Sequence, residues 1–381
     1  MAYVYLDHNA TTPLDEGVLV AMMPFLQECY GNASSRHEFG TVARKAVERA
    51  REQVAALVGV DPPQVVFTSG GTEANNLFIK GAAGYLKPRQ IAVSAIEHPC
   101  VAKSAQELAR TGWKLRKLAV DQDGIIDVTD IDAALQECTG IVSVMLANNE
   151  TGALQDIAAV AEKARVAGAV MHTDAVQALG KVAIDFRALN VHALTLSAHK
   201  IHGPKGAGAL VHDKRTSFRP LLSGGGHERG LRSGTENVPA IVGFGVACEL
   251  AASRMRDFTQ RILGMREMLE HGLAGRGAVI FSKNTTRIPN TSYFAFSGID
   301  GETLVIELDK AGYAVASGAA CSSTSTEPSA TLLAMGVVPE LARGAVRVSL
   351  GHGNTFEQIN SFLRTLDFVL LKLKRLTAIA V

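Results

Sequence analysis

The chain has 381 residues, a formal net charge of +1 and 47% hydrophobic residues. This length allows two or three domains with sizeable cores, and the near-neutral charge gives no reason to expect direct binding to nucleic acid or to an anionic membrane. The N-terminus has no basic start and no long apolar core, so we expect no signal peptide. We also expect no membrane span, because the longest apolar stretch, residues 238–252, is too short and contains Glu249.

Helical and strand patterns alternate through the first two thirds of the chain. An amphipathic helix is predicted over residues 41–58, ending at Gly59. Apolar runs then predict strands, at residues 65–68, 91–95, 141–146, 169–173, 193–197 and 208–211. Helical segments separate the first four strands, at residues 73–85, 101–111 and 157–167. This alternation is typical of a mostly parallel sheet with helices on both faces.

The pattern changes after about residue 235. Residues 238–273 predict long helices, and a second α/β stretch follows. The last helix is predicted to begin at Thr355, because Thr355 and Gln358 form a capping-box pattern. We therefore predict an α/β protein with a large domain, residues 13–257, and a smaller α/β domain, residues 1–12 and 258–381.

Five cysteines are scattered along the chain without a Cys-x-x-Cys pair, at positions 29, 100, 138, 248 and 321. Their odd number and spacing argue against a disulfide framework or a structural zinc site and favour a reducing compartment, so we expect a cytoplasmic protein. The first four lie in apolar or helical segments, where burial as a small hydrophobic side chain is the default expectation.

A lysine and an acid follow two of the predicted strands. Lys200 comes just after the apolar run 193–197, and Asp174 ends the run that starts at residue 169. This pair suits pyridoxal 5'-phosphate (PLP), because a lysine holds the aldehyde as a Schiff base and an acid keeps the ring nitrogen protonated. A surface lysine is the simpler interpretation of Lys200 alone, but other parts of a cofactor site are also present.

Glycine and hydroxyl residues predict a seat for the phosphate. Gly71 and Thr72 open a predicted helix, where backbone N–H groups bind anions, and Ser197 and His199 follow a neighbouring strand. An ordinary tight turn is the alternative for the glycine turn taken alone. A metal site using His199 and His202 is disfavoured, because no third ligand is near in sequence.

Further polar residues follow other strands of the predicted sheet. His98 suits a position over the pyridine ring, where it could shuttle protons near neutral pH, although a half-buried structural histidine is the alternative. Gln177 lies one turn beyond Asp174 and could touch the phenolic oxygen of the ring. The Gly-rich run 223–235 is either a surface turn or a loop that presents Thr235 to a phosphate across a dimer interface.

Cys321 lies in residues 317–329, a run of small and polar residues. Such a segment packs poorly, so we expect this thiol to be exposed. An exposed thiol beside a PLP site suggests sulfur chemistry.

The sequence resembles the NifS/IscS-type cysteine desulfurases of the class-V aminotransferase family. The resemblance runs in order from residue 3 to about residue 350. The motifs that carry it are residues 6–12, 31–32, 71–73, 97–98, 148–152, 172–177, 197–200, 234–237 and 317–329. It implies a homodimer of the PLP-dependent transferase fold type I that converts L-cysteine to L-alanine and holds the sulfur as a persulfide on a loop cysteine.

The resemblance also implies roles for single residues. Lys200 binds the cofactor covalently, Asp174 pairs with the ring nitrogen, and His98 stacks on the ring and moves protons. The other cofactor contacts implied by the resemblance are Gly71, Thr72, Asn149, Gln177, Ser197 and His199 of one subunit and Thr235 of the second.

The resemblance assigns the substrate carboxylate to Arg347, assisted by Asn32, since a planar guanidinium suits two-pronged binding. Lys200 removes the α-proton, Cys321 attacks the substrate sulfur as a thiolate, and the persulfide passes to an acceptor protein such as an iron–sulfur scaffold. No metal is implied.

Other functions remain open on the sequence. A selenocysteine lyase or a fold-type I aminotransferase would use the same Lys200, although an aminotransferase would not need Cys321. A degenerate homologue serving as a scaffold is disfavoured, because no expected site residue is missing. Iron–sulfur assembly, nitrogenase maturation and tRNA or DNA modification are the alternative destinations of the sulfur.

Overall fold

The computed structural model describes residues 3–318 and 327–379. The strands are β1 (Val4–Tyr5), β2 (Val65–Thr68), β3 (Gln90–Ser94), β4 (Lys114–Leu118), β5 (Thr139–Ser143), β6 (Val170–Asp174), β7 (Ala193–Ser197), β8 (Gly208–His212), β9 (Val279–Ile280), β10 (Thr291–Ala295), β11 (Tyr313–Ala314), β12 (Ala316–Ser317) and β13 (Ala345–Ser349). The α-helices are α1 (Glu16–Gln27), α2 (Glu38–Val58), α3 (Gly71–Tyr85), α4 (Pro99–Ala109), α5 (Val128–Gln136), α6 (Ile157–Val166), α7 (Phe186–Leu189), α8 (Val238–Ala274), α9 (Gly301–Lys310), α10 (Ala330–Ala334), α11 (Pro339–Arg343) and α12 (Phe356–Ile379).

The larger sheet has seven strands in the order β2-β8-β7-β6-β5-β3-β4. Its strands run parallel except β8, which is antiparallel to both of its neighbours. Alternate strand residues face two different cores: Val65 and Phe67 pack in one core and Val66 in the other. The first core contains α2, α6 and α8, and the second contains α3 and α4. The predicted mostly parallel sheet with helices on both faces is confirmed.

All six predicted strands are present in this sheet with shifts of a few residues at their ends. Sequence analysis missed β4, the strand at one edge. Its Lys114, Arg116 and Lys117 are partly or fully exposed, because charged side chains are tolerated where one side of the strand has no partner. The sequence of β4 therefore lacks the continuous apolar run that predicted the other strands, because β4 lies at the edge of the sheet.

A smaller antiparallel sheet in the order β12-β13-β10-β9 forms a second unit. The N-terminal strand β1 pairs with β11, so the start of the chain lies beside residues more than 300 positions away. This sheet packs against the second half of α8, α9 and α12. The last helix has the predicted capping box: Thr355 Oγ1 accepts from the N–H of Gln358, and Gln358 Oε1 accepts from the N–H of Thr355.

The long helices predicted after residue 238 are one helix of 37 residues, α8. Its buried side chains up to Cys248 pack in the core of the larger sheet, and those from Phe258 onward pack in the second core. By length and composition α8 could cross a membrane, but its buried apolar side chains pack in these two cores. The change of core between Cys248 and Phe258 supports the predicted domain boundary at residues 257/258, which stays a prediction.

A buried ion pair connects α2 to the Gly-rich loop at residues 223–235. Arg51 donates from Nη2 to Glu228 Oε1 at 2.7 Å and from Nη1 to Glu228 Oε2 at 2.8 Å. The backbone N–H of Phe67 donates to the same carboxylate at 2.8 Å. Both charged side chains are almost completely buried, with 3% and 2% exposure. The pair therefore fixes the loop against α2 and β2.

We expect Glu228→Ala to lower the free energy of unfolding by about 3 kcal/mol, because it removes the buried counter-charge of Arg51 and leaves only the exposed carboxylate of Glu48. Urea denaturation of the variant and of the unchanged protein measures this difference. Lys163→Ala is the control, since it breaks the exposed pair with Asp132 and should cost less than about 1 kcal/mol. Equal losses in the two variants would contradict the structural role of the Glu228 carboxylate.

Candidate active site

A cavity of about 410 Å³ lies beyond the carboxyl ends of the parallel strands. It is where open parallel sheets bind ligands, because the loops that follow the strands diverge there. The predicted site residues that line this cavity are Gly71, Thr72, His98, Asn149, Asp174, Gln177, Ser197, His199, Lys200 and Arg347. Residues from five strand ends of the larger sheet and from the smaller sheet thus face one space.

Lys200 ends the short 3₁₀ turn that directly follows β7. Its Nζ donates to the backbone oxygens of Asn9 at 2.5 Å and Ala10 at 2.7 Å. Both oxygens belong to the N-terminal segment that follows β1 and lies against the loops at the carboxyl ends of the parallel strands. The amine therefore lies in the cavity, within reach of a carbonyl group bound there.

Asp174 is the last residue of β6 and is 5% exposed. Its Oδ1 accepts from the backbone N–H of Val176 at 2.9 Å, and its Oδ2 accepts from Nδ2 of Asn75 at 2.7 Å. These two donors fix the direction of the carboxyl group. An acid held in a fixed direction in a buried cavity suits a protonated ring nitrogen.

Asn75 was missed by sequence analysis. It lies on α3, four residues after Gly71, so it is one helical turn below the predicted phosphate turn and faces the sheet. Its complete burial, which requires polar partners for the amide, shows only in the structure, so no pattern in the sequence indicated its role.

The phosphate end of the cavity is formed by the start of α3 and the end of β7. A Cβ on Gly71 would lie 2.9 Å from Cγ2 of Val176, so a larger residue would push into the wall. The Ser197 Oγ is buried and has no hydrogen-bond partner among the described residues. A helix N-terminus beside an unsatisfied hydroxyl suits a phosphate group, so this end fits PLP.

His199 lines the same end, with its Nδ1 3.2 Å from Thr11 Oγ1. Burial, followed by the positive charges of Lys200, Lys205 and Lys181, lowers the pKa of His199 to about 4. The imidazole is therefore neutral near pH 7 and has one N–H to donate.

His98 caps the N-terminus of α4, where its Nδ1 accepts from the backbone N–H of Cys100 at 3.3 Å. Burial lowers the pKa of His98, the nearby Asp174 carboxylate opposes this shift, and Lys200 adds to it. A neutral imidazole in the cavity is able to accept a proton near neutral pH.

The cysteines differ from the prediction that the first four are buried. Cys248 is buried as predicted, but Cys138 is exposed and Cys29 and Cys100 are half-buried. Cys100 lines the cavity, with its Sγ 2.9 Å from Nδ1 of His98. Burial, followed by the Asp174 charge, raises the pKa of the Cys100 thiol to about 12. It is therefore a thiol and not a thiolate at neutral pH. Cys321 lies outside the described residues.

Arg347 reaches the cavity from β13 of the smaller sheet. Its Nη2 donates to Asp7 Oδ1 at 2.7 Å, and its Nη1 donates to the backbone oxygen of Asn149 at 3.0 Å. Its Nε is buried and has no hydrogen-bond partner in the part of the chain that is described. A guanidinium group in this cavity suits a carboxylate ligand. The assignment of Arg347 to the substrate carboxylate stays a prediction.

Two predicted site residues lie away from the cavity. Asn32 is exposed, and its Oδ1 accepts from the backbone N–H of Ser34 at 2.9 Å. Thr235 is also exposed and lines a separate recess beside Ser69 and Arg232. One copy of the chain therefore does not bring Thr235 to its own cavity.

The two histidines considered for a metal site, His199 and His202, line different cavities. His199 lines the large cavity, whereas His202 lines a cavity of about 30 Å³. The Nδ1 of His202 lies 3.0 Å from the backbone oxygen of Pro13. Within residues 3–318 and 327–379, no group of three or more metal-ligating side chains is arranged to hold a metal ion.

Comparison with known proteins identifies the family. Residues 4–362 match the family Aminotransferase class-V. A cysteine desulfurase of Sinorhizobium fredii is 44% identical over 379 residues, which cover 98% of this chain and 98% of that protein. A cysteine desulfurase 2 of Trichormus variabilis is 42% identical and covers 99% of this chain and 95% of that protein.

Solved structures have the same fold. A NifS-like protein superposes with a TM-score of 0.92 at 37% identity, covering 97% of this chain and 100% of that chain. A structure described as SspA in complex with cysteine has a TM-score of 0.80 at 32% identity and covers 91% of this chain and 98% of that chain. The fold type and the PLP dependence expected from the sequence are therefore those of its relatives. The chain belongs to the class-V aminotransferase family and, within it, to the NifS/IscS-type cysteine desulfurases.

Proposed function

We propose that this protein converts L-cysteine to L-alanine and holds the released sulfur as a persulfide on Cys321. The observation that carries the proposal is one cavity that contains Lys200, Asp174, His98 and Arg347. A PLP-binding lysine, an acid for its ring nitrogen and a guanidinium for a carboxylate together suit an amino acid substrate. The cysteine bound to the similar SspA supports cysteine as that amino acid.

PLP, when bound, supplies a ring that accepts the electron pair released at the α-carbon. The Asp174 carboxylate, fixed by Val176 and Asn75, holds the proton of the ring nitrogen. The hydroxyl of Ser197 and the N-terminus of α3 bind the phosphate. The Nζ of Lys200 holds the cofactor aldehyde and then takes the α-proton of the substrate.

The substrate carboxylate binds to Arg347. The proposed assistance by Asn32 requires this exposed residue to approach the cavity, which it does not line in this structure. The Arg347 guanidinium already pairs with Asp7, so the substrate carboxylate and the Asp7 carboxylate share this guanidinium. The contacts with Asp7 and with the backbone oxygen of Asn149 hold the guanidinium in place before substrate enters. His98 lines the cavity and is neutral near pH 7, so it would accept or return a proton beside the bound cofactor.

The sulfur step uses Cys321 as a thiolate. Its sulfur forms an S–S bond with the substrate sulfur, the substrate C–S bond breaks, and the bonding electron pair stays with the carbon side. Protonation of that carbon gives alanine. Cys100 is a thiol that lines the cavity. Its raised pKa makes it a poor nucleophile, and this supports Cys321 as the attacking group.

We propose a homodimer in which Thr235 of a second copy completes the phosphate site. Thr235 is exposed and distant from its own cavity. Large apolar side chains from α1 to the start of α2 are also exposed and offer a surface for that copy, among them Val20, Leu26, Tyr30 and Phe39. The proposed setting is the cytoplasm, and the proposed acceptor is a protein such as an iron–sulfur scaffold.

Incubation of the purified PLP-loaded protein with L-cysteine and a thiol reductant tests the reaction. We expect alanine and sulfide in equal amounts, because each turnover releases one of each. L-Serine, which has no sulfur to transfer, is the control substrate and should give neither product. A protein that shows the PLP absorption band but yields a keto acid instead of sulfide would be an aminotransferase, and the sulfur assignment would be wrong.

A further inference from the structure

Lys181 is a buried lysine that the proposed reaction does not use. It lies in the turn after β6 and is 4% exposed. Its Nζ donates to Gln177 Oε1 at 2.8 Å and to Asn9 Oδ1 at 3.1 Å. Both partners are amide oxygens, so the amine is held by neutral groups. Burying a lysine among neutral groups is costly, and such a residue is retained where its contacts matter.

Positive groups surround Lys181. Burial lowers the pKa of Lys181 well below its ordinary value, and the charges of Lys200 and Arg347 lower it further. The other titratable groups that sense its charge are the histidines at positions 8, 199 and 202. A neutral amine has two N–H donors, and the two amide oxygens provide two acceptors for them.

The contact with Lys181 decides which way the Gln177 amide points. A side-chain amide has one oxygen and one nitrogen, and the two ends are nearly equal in shape. Lys181 donates to Oε1, and Nε2 of Gln177 donates one of its two N–H groups to the backbone oxygen of Asn9 at 2.9 Å. A flipped amide would lose the Lys181 contact to Oε1 and would place its oxygen against the backbone oxygen of Asn9. The second N–H of Gln177 is therefore held on the side of the cavity that Gln177 lines.

We infer that Lys181 is a positioning residue that keeps the amide nitrogen of Gln177, and not its oxygen, directed toward the phenolic oxygen of the bound cofactor. This inference rests on the proposed role of Gln177 in the cofactor site. A donor to the phenolic oxygen stabilises the form of the cofactor that carries more negative charge there, so it lowers the pH at which the bound cofactor gives up its proton.

The experiment is a spectrophotometric pH titration of the cofactor's visible band in the PLP-loaded protein and in Lys181→Met, without substrate. Methionine has a similar length and no N–H donor. We expect the midpoint to rise by roughly half to one pH unit, the size that loss of one hydrogen bond predicts. Lys205→Met removes an exposed lysine from the same region and should leave the midpoint in place.

A Lys181 that acted directly as a positive charge on the cofactor would also give a higher midpoint when substituted, so the same substitution is made in a Gln177→Leu background. If Lys181 acts through Gln177, its substitution adds no further shift there. A shift of equal size in both backgrounds would overturn the inference, because the lysine would then act as a charge alone. An unchanged midpoint in Lys181→Met would also overturn it.

Lys181→Gln replaces Lys181→Met if the methionine variant does not fold. Glutamine keeps an N–H donor one bond closer to the backbone, so we expect a smaller shift in the same direction, again absent with Gln177→Leu. The unchanged protein separates this inference from the proposed function. If it shows no PLP band, the cofactor site itself is wrong. If its band is normal and only the expected Lys181 shift is missing, the proposed reaction stands without this inference.

Discussion

Lys200→Ala should abolish covalent attachment of the cofactor and lower alanine release from L-cysteine by at least about 10³-fold, because one residue both binds the aldehyde and takes the α-proton. Borohydride reduction followed by intact-mass measurement shows the attachment directly. The unchanged protein should gain the mass of the reduced cofactor, and the variant should not. Alanine release measured in parallel gives the loss of turnover.

Lys205→Ala is the matched control for this prediction, because Lys205 is an exposed lysine five residues later in the same segment. It should keep both the mass gain and the turnover. Covalent attachment that persists in Lys200→Ala would assign the aldehyde to another lysine. The buried Lys181 would then be the first candidate, since it also contacts Asn9 beside the cavity.

Cys321→Ser should lower sulfide and alanine release by roughly 10²-fold or more, because the serine hydroxyl is a far weaker nucleophile toward sulfur at neutral pH. The visible band of the cofactor should remain, and addition of L-cysteine should still change it, since substrate binding uses other residues. The measurement combines product release with absorption spectra of the same sample.

Two other cysteine variants sharpen this result. Cys138→Ser removes an exposed thiol away from the cavity and should leave sulfide release unchanged. Cys100→Ser removes the thiol that lines the cavity. If sulfide release stays normal in Cys321→Ser and is lost in Cys100→Ser, the persulfide would belong to Cys100, and the proposed role of Cys321 would be wrong.

Much of the larger sheet was predictable from sequence because of how it is buried. Strands covered on both faces read as continuous apolar runs, and β2, β7 and β8 are fully buried. Residues at the ends of such strands converge on one edge, which is why Asp174 and Lys200 could be placed in one site before the structure was known. The edge strand β4 lacked this signal, since its charged side chains reach solvent.

The residues that sequence analysis missed act through distant partners. Asn75 contacts Asp174 across 99 positions, and Lys181 contacts Asn9 across 172. A polar residue inside a helix or turn carries no local sign of such a partner, because the pairing is decided by how strands are ordered in the sheet. Thr235 is a related case: its sequence motif was visible, but it lines a recess separate from the cavity.

The N-terminal segment has a consequence for the order in which the site assembles. Asn9 donates from its backbone N–H to Ser349 Oγ, and Asp7 pairs with Arg347, so each contact spans 340 residues. During synthesis, the segment that holds Lys200 in place lacks these partners until residue 349 has been added. Contacts of such long sequence separation form slowly. A nascent chain that stops before residue 347 therefore cannot form the finished cofactor site, although Lys200 itself has already been made.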